Sequence, residues 1–291
     1  MASGMRSIHR LDRVVIGVAR GIGEPLAHNL PMQIANLAHT KLLGKRGPQV
    51  IIKELRWPAE YGPVPKPLGQ NSFNESLTRL KFQLTGLVQP DPNTKYVLVG
   101  FSAGAAGIGD WLAEQPQSVK KLIISVHLVS DPSMPKGIAP MNMVLREEEY
   151  GVRGSRRTDF LDTHWYWRSD DVICCCPDNS PIRKIAKATP DFVLADATTW
   201  LPTLQKLTTM KAAELMGANL RYMADRQRRE QALDQIRRRY DEAFKDAMGY
   251  LATGAHTSYG TRKINGMTSV QKASTDIAQL IQFAYGDSIG R

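Results

Sequence analysis

The sequence predicts an α/β protein in which a mostly parallel β-sheet is covered by helices on both faces. Short apolar runs that are typical of buried strands alternate with helical segments through the first half of the chain. Beyond about residue 183 the pattern changes, and the stretch from residue 189 to residue 249 has helical periodicity without a strand candidate. The sheet is therefore expected in the first half, with a helical addition after it.

The individual elements follow from local signals. The first strand, Arg13–Ala19, is an apolar run that ends at a glycine-containing turn. The segment 57–71 is rich in proline and glycine and is predicted to be a loop before the first helix. Further strands are predicted at Gln49–Leu55, Lys95–Gly100 and Leu122–Leu128, and helices at 72–88 and Ala103–Leu112.

The domain organisation predicted for the 291 residues is one α/β core interrupted by a helical insertion. We expect residues 10–183 to form the first part of the core, residues 184–250 an inserted helical linker subdomain, and residues 251–291 the C-terminal part. Leucine and methionine recur at helical spacing in the insertion. Its second half is basic and contains Arg226, Arg228, Arg229, Arg237, Arg238 and Arg239.

Composition excludes several classes of protein. Hydrophobic residues make up 42% of the chain, yet no apolar run approaches the roughly 18 residues of a membrane-spanning helix. The three cysteines are adjacent at 174–176, which excludes a disulfide framework apart from a strained vicinal pair and favours a reducing cytoplasm. The N-terminal apolar stretch is interpreted as a strand, not as a signal peptide. The net charge of +10 favours acidic partners, but no nucleic-acid-binding motif accompanies it.

The strongest chemical signal is the pentapeptide Gly100-Phe101-Ser102-Ala103-Gly104, which lies between a predicted strand and a helix of small residues. A G-x-S-x-G sequence in this context is typical of a nucleophile elbow, in which the serine occupies a strained turn between strand and helix. Glycines at both ends leave room for the strand and helix to cross. Ser102 is the candidate nucleophile of an α/β-hydrolase.

A serine nucleophile needs a histidine base and an acid that orients it, and in α/β-hydrolases these follow the serine in the order acid, histidine. Three histidines follow Ser102. His127 lies in a predicted buried strand, His164 precedes most of the candidate acids, and His256 lies in a loop-like segment near the C-terminus. His256 is therefore the predicted base.

The acid is less sharply defined by the residues alone. Asp131, Asp170, Asp171 and Asp178 are the candidates. Asp171 is favoured because the apolar residues Val172, Ile173 and Cys174 follow it in a predicted loop, which would let its carboxylate turn inward. Asp170, the preceding residue, is the usual alternative. The backbone N–H groups of Ala103 and Ile22 are the predicted oxyanion hole.

Three motifs together resemble those of the cutinase-like serine esterases: Ala19-Arg20-Gly21-Ile22-Gly23-Glu24, the Ser102 pentapeptide, and Asp171-Val172-Ile173-Cys174. Ala103 stands where these esterases usually have glutamine, and Asp170 where they have glycine. Ordinary cutinases place the histidine soon after the aspartate, whereas here the helical insertion separates them. That arrangement is similar to the lysin B esterases of mycobacteriophages.

The resemblance implies a cutinase-like α/β-hydrolase fold and a Ser102–His256–Asp171 triad that works without a metal or an organic cofactor. It implies hydrolysis of the ester that joins mycolic acids to arabinogalactan in the mycobacterial cell wall, during host lysis. The protein would be made in the host cytoplasm, without a signal peptide, and reach the envelope on lysis. The basic helix would contact anionic cell-wall groups. A general cutinase or lipase for simpler lipid esters, or a non-catalytic cell-wall-binding module, are the alternatives.

Overall fold

The computed structural model describes residues 12–60, 71, 73–138, 149–156, 160, 162–188 and 254–285, and the single positions 234, 235, 238 and 242. Most of the predicted insertion lies outside these residues, and so do all arginines of its basic segment except Arg238. Among the described residues, no helix is long and apolar enough to cross a membrane.

The centre of the fold is a five-stranded parallel sheet. The strands among the described residues are β1 (Arg13–Ala19), β2 (Gln49–Glu54), β3 (Thr94–Phe101), β4 (Ile123–Val129), β5 (Glu149–Tyr150), β6 (Thr163–Tyr166) and β7 (Cys176–Pro177). The strand order in the sheet is β2-β1-β3-β4-β6, and every neighbouring pair is parallel. The two short strands β5 and β7 pair antiparallel in a separate sheet.

Helices cover both faces of this sheet, which confirms the predicted fold class. The described helices are α1 (Leu30–Leu42), α2 (Phe73–Leu87), α3 (Ala103–Glu114), α4 (Gln117–Lys120), α5 (Pro181–Ala188) and α6 (Ser269–Tyr285), with a 3-10 helix at Ala255–Gly260. One core lies between the sheet and α1 and α6, and the other lies between the sheet and α2 and α3. The domain boundary predicted after residue 183 falls within α5.

Helix α1 corrects the prediction that the first helix follows residue 71. The helix begins after Asn29, whose side chain accepts a hydrogen bond from the Met32 N–H at 3.0 Å. Pro31 lies in its first turn, where a missing N–H costs nothing. The buried residues Ile34 and Ala38 share one face and pack on the sheet. The cap and the first-turn proline are sequence signals of this helix.

His127 is a core residue, as predicted. Its side chain is fully buried, with Nδ1 at 2.9 Å from the Tyr166 hydroxyl and Nε2 at 3.0 Å from the Ser125 hydroxyl. The His164 ring stacks on it with centroids 4.8 Å apart, and the Tyr166 hydroxyl donates to Asp276 on α6 at 2.9 Å. This polar chain ties β4 and β6 to α6 and lies apart from the predicted nucleophile.

We expect His127 to make the protein less stable as the pH falls below neutrality. Burial, followed by the charges of His164 and Lys272, lowers the pKa of His127 well below its ordinary value of 6.5. Below that pH the unfolded chain binds a proton that the folded chain does not, so the free energy of unfolding falls, by at most about 1.4 kcal/mol per pH unit. Urea unfolding between pH 7.5 and pH 5 should show a steeper loss for the wild type than for His127→Gln. The exposed His28→Gln is the control, and equal slopes in all three proteins would contradict this prediction.

Candidate active site

Ser102 lies at the turn between β3 and α3, in the geometry of a nucleophile elbow. Its φ is 54° and its ψ is −117°, a conformation that costs a non-glycine residue roughly 1–3 kcal/mol. A Cβ on Gly100 would lie 2.8 Å from the Ala105 backbone, and one on Gly104 only 2.2 Å from the Ala19 carbonyl oxygen. Both positions therefore require glycine, and they hold the strained serine between β1, β3 and α3.

The structure brings Ser102, His256 and Asp171 together in the order that the sequence predicts. His256 Nε2 lies 2.9 Å from Ser102 Oγ, and His256 Nδ1 lies 3.0 Å from Asp171 Oδ2. Ser102 is half-buried, His256 is buried, and Asp171 is fully buried. The His256 ring also stacks on Phe101, with the centroids 4.9 Å apart. Each imidazole nitrogen thus faces the partner that proton transfer from Ser102 requires.

The Asp171 carboxylate is surrounded by hydrogen-bond donors. Its Oδ2 accepts from the Ser130 hydroxyl at 2.6 Å and from the Tyr259 hydroxyl at 2.8 Å, and its Oδ1 accepts from the Ile173 N–H at 3.1 Å. Burial alone would raise the pKa of Asp171, but the charge of His256 and the hydrogen bonds from His256, Ser130 and Tyr259 outweigh it, and the pKa lies below its ordinary value. Asp171 is therefore an anion that can stabilise a protonated His256.

The other three candidate aspartates bind partners other than His256. Asp170 points away from His256 and pairs with Arg168 and Arg262, each at 2.7 Å. Asp131 is buried in an ion pair with Arg156 and accepts a bond from the Ser133 N–H at 2.9 Å. Asp178, the fourth candidate, is exposed and bonds to the Tyr150 hydroxyl. Of the four, only Asp171 contacts His256 in the described part of the chain.

His256 lies on a 3-10 helix, Ala255–Gly260, and not in the loop that the sequence predicts. The helix follows Gly254, whose φ of 55° suits glycine. Side chains three residues apart eclipse one another in a 3-10 helix, so His256 and Tyr259 share one face and both contact Asp171. A short segment of mixed apolar and polar residues after a glycine gives little sequence signal for a helix, so the 3-10 helix was not predicted.

The two predicted oxyanion donors lie at neighbouring turns. The Ala19 and Arg20 carbonyl oxygens lie so close to Gly104 that a Cβ on this residue would clash with them. The turn that contains Ile22 therefore lies against the start of α3. Glu24 holds this turn, because its carboxylate accepts from the Gly21 N–H at 2.6 Å and from the Leu30 N–H at 2.9 Å. Burial raises the pKa of Glu24. Neither Ile22 nor Ala103 uses its N–H in a hydrogen bond among the described residues.

The three cysteines are buried and form no disulfide with one another. Cys174 Sγ lies 3.4 Å from the Tyr259 hydroxyl, the group that also donates to Asp171. Burial and the Asp171 charge raise the pKa of Cys174 well above its ordinary value. Cys174 is therefore a neutral packing residue under the site.

Sequence reasoning missed Ser130 and Tyr259. Ser130 directly follows β4, just as Ser102 directly follows β3, and the carboxyl ends of neighbouring parallel strands meet at one edge of a sheet. That placement is the sequence signal for Ser130, whereas only its neighbour Asp131 is considered from the sequence, as a candidate acid. Tyr259 gives no signal unless the 3-10 helix is known.

No protein-family model matches the chain, and no curated protein sequence matches it. Several solved structures are similar. Lysin B from mycobacteriophage D29 is similar over 93% of this chain and 99% of that chain, with 15% identity and a TM-score of 0.45. The catalytic core domain of acetyl xylan esterase from Trichoderma reesei is similar over 64% of this chain and 98% of that one, with 16% identity and a TM-score of 0.44.

A cutinase-like protein from Cryptococcus sp. is similar over 57% of this chain and 80% of that chain, with 18% identity and a TM-score of 0.45. The groups that the sequence motifs resemble are thus among the structures similar to this chain.

Proposed function

We propose that this protein is a serine carboxylic-ester hydrolase with Ser102 as nucleophile, His256 as general base and acid, and Asp171 as the group that orients His256. The observation that carries the proposal is the pair of contacts on the His256 ring, 2.9 Å to Ser102 Oγ and 3.0 Å to Asp171 Oδ2. The strained φ of Ser102 supports it, because such strain persists where the surrounding structure enforces it and is common at active sites.

The first half of the reaction forms an acyl-enzyme. Ser102 Oγ attacks the ester carbonyl carbon while its proton passes to His256 Nε2. The carbonyl oxygen becomes an oxyanion, which the Ile22 and Ala103 N–H groups stabilise together with the positive end of α3. The tetrahedral intermediate then collapses, the bond to the alcohol breaks, and His256 gives its proton to the leaving oxygen.

The second half releases the acid. Water loses a proton to His256 Nε2 and attacks the acyl carbon, and the Ser102 ester bond breaks as the proton returns to Ser102 Oγ. Asp171 stays ionised throughout and stabilises the imidazolium that forms twice in the cycle. The steps use the three side chains, the two backbone N–H groups and water.

For the substrate we propose the ester between mycolic acids and arabinogalactan, cleaved during phage-mediated host lysis. The three quoted motifs and the position of His256, 85 residues after Asp171 and beyond a segment whose sequence predicts helices, support this choice, since that combination resembles the lysin B esterases. In this proposal the protein is made in the host cytoplasm and reaches the cell envelope on lysis. Contact of the basic segment with anionic cell-wall groups belongs to the same proposal.

The test has two stages and uses Ser102→Ala as the matched inactive variant. p-Nitrophenyl esters of increasing acyl length are hydrolysed by the wild type and not by the variant if the esterase proposal is correct. Isolated mycobacterial cell wall should then release free mycolic acid with the wild type alone. Hydrolysis of soluble esters without mycolate release would favour a general cutinase or lipase. A wild type inert on every ester that still binds cell wall would favour a binding module.

A further inference from the structure

The end of strand β4 carries a second strained serine beside the first. Ser130 has a φ of 49° and a fully buried side chain, and its N–H donates to the Tyr166 carbonyl at 2.9 Å. The preceding residue, Val129, accepts the N–H of Ser102 at 2.9 Å. Ser130 and Ser102 therefore occupy matching positions at the ends of neighbouring strands.

The Ser130 hydroxyl lies between the other two members of the proposed triad. It donates to Asp171 Oδ2 at 2.6 Å and lies 3.0 Å from His256 Nδ1. A hydroxyl has one hydrogen and two lone pairs, so with its hydrogen on Asp171 it can accept the His256 Nδ1–H. That N–H consequently has two acceptors at 3.0 Å, Asp171 Oδ2 and Ser130 Oγ.

The backbone of Ser130 does not explain the presence of a serine. Glycine adopts a positive φ without strain, whereas a residue with a Cβ does not. The strained backbone and the two contacts of the buried hydroxyl suggest that the hydroxyl has a function.

We propose that Ser130 is a positioning residue of the proposed triad. In this role, which rests on the proposed esterase function, its hydroxyl bridges Asp171 and His256. The His256 ring must turn slightly between the Ser102 oxygen and the leaving oxygen when it passes the proton on. With two acceptors side by side, the Nδ1–H stays bound in both orientations, and Nε2 stays aimed at the reacting atoms.

The experiment compares Ser130→Ala and Ser130→Gly with the wild type, and uses Tyr259→Phe as the matched control. The control removes one donor from the same Asp171 oxygen and leaves the hydroxyl beside Nδ1 in place. For each protein, kcat and KM are measured with p-nitrophenyl butyrate. The urea midpoint measures the stability of each variant. The NMR resonance of the His256 Nδ1–H proton reports on its hydrogen bonds to Asp171 and Ser130.

We expect both Ser130 variants to lose roughly 10- to 100-fold in kcat, the range for one hydrogen bond to a charged group, with KM changed less than about twofold. Ser130→Gly should be at least as stable as Ser130→Ala, since glycine relieves the strain. The Nδ1–H resonance should shift in both Ser130 variants. Tyr259→Phe should lose less kcat than either.

Several outcomes would overturn the proposal. Wild-type kcat in both Ser130 variants, beside an inactive Ser102→Ala, would remove Ser130 from the triad and leave the esterase intact. Activity kept by Ser130→Gly but lost by Ser130→Ala would show that backbone strain, not the hydroxyl, matters. A wild type inert on all esters would remove the proposed function itself, and with it this role.

Discussion

Replacing His256 by alanine is expected to reduce kcat on a p-nitrophenyl ester by roughly 10⁶-fold, the scale known for the loss of a triad histidine. The Ser102 hydroxyl then loses the base that lies 2.9 Å away at His256 Nε2, and the described residues place no other base at hydrogen-bond distance from it. A neutral hydroxyl is a poor nucleophile at neutral pH. The variant should remain folded, since the 3-10 helix keeps its Tyr259 contact to Asp171.

Steady-state kinetics checks this result, and added imidazole provides the control. Free imidazole that enters the space left by the ring should restore part of the activity of the variant. It should leave the activity of the wild type unchanged. The exposed His28→Ala should behave like the wild type. If His256→Ala kept more than about a hundredth of wild-type kcat, a different base would have to serve Ser102.

Replacing Asp171 by asparagine is expected to lower kcat by roughly 10⁴-fold with little change in KM. An asparagine amide that donates to Nδ1 fixes the wrong tautomer, in which Nε2 carries the hydrogen and cannot take the proton of Ser102. The variant also loses the negative charge that stabilises the imidazolium. Ser130 and Tyr259 face the same Oδ2 position, so their hydroxyls would accept from the amide instead of donating to it. The asparagine oxygen at the Oδ1 position still accepts the Ile173 N–H, so the fold around the site is retained.

The neighbouring residue supplies a matched control for this prediction. Asp170→Asn makes the same change from carboxylate to amide at the preceding residue. The Asp170 carboxylate, however, pairs with Arg168 and Arg262 and not with His256. Asp170→Asn should keep kcat within about threefold of the wild type, because the asparagine at 170 does not contact His256 and its oxygen can still accept from the buried Arg168. Loss of activity in Asp170→Asn together with full activity in Asp171→Asn would move the acid to Asp170.

The sheet was predictable from the sequence because its central strands are buried on both faces. Arg13–Ala19 is predicted with the same bounds that the structure shows. β3 and β4 differ from their predictions by one residue at each end, and β2 by one residue at its C-terminal end. Parallel strands covered by helices must be apolar almost throughout, which gives a clear signal. β6 was not predicted, since it is only four residues long and His164 and Tyr166 interrupt its apolar pattern with polar groups.

The proposed triad was predictable in part, for a geometric reason. The elbow is a local motif, so Ser102 follows from five residues, and His256 follows from elimination. The choice between Asp170 and Asp171 depends on which of two neighbours points inward, and the turn that decides it is held by the Asp171 N–H to the Arg168 carbonyl at 3.1 Å. Ser130 joins the site only through the register of β3 and β4.

The central claim, that Ser102 is an activated nucleophile, is tested most directly by covalent labelling with a p-nitrophenyl alkylphosphonate. Its phosphorus reacts with a serine oxygen and releases p-nitrophenol, so each active site gives one equivalent of dye and one stable adduct. Mass spectrometry of the digested protein should place the adduct on Ser102 in the wild type, and His256→Ala should react far more slowly. No dye release from folded protein, or an adduct on a different residue, would contradict the account.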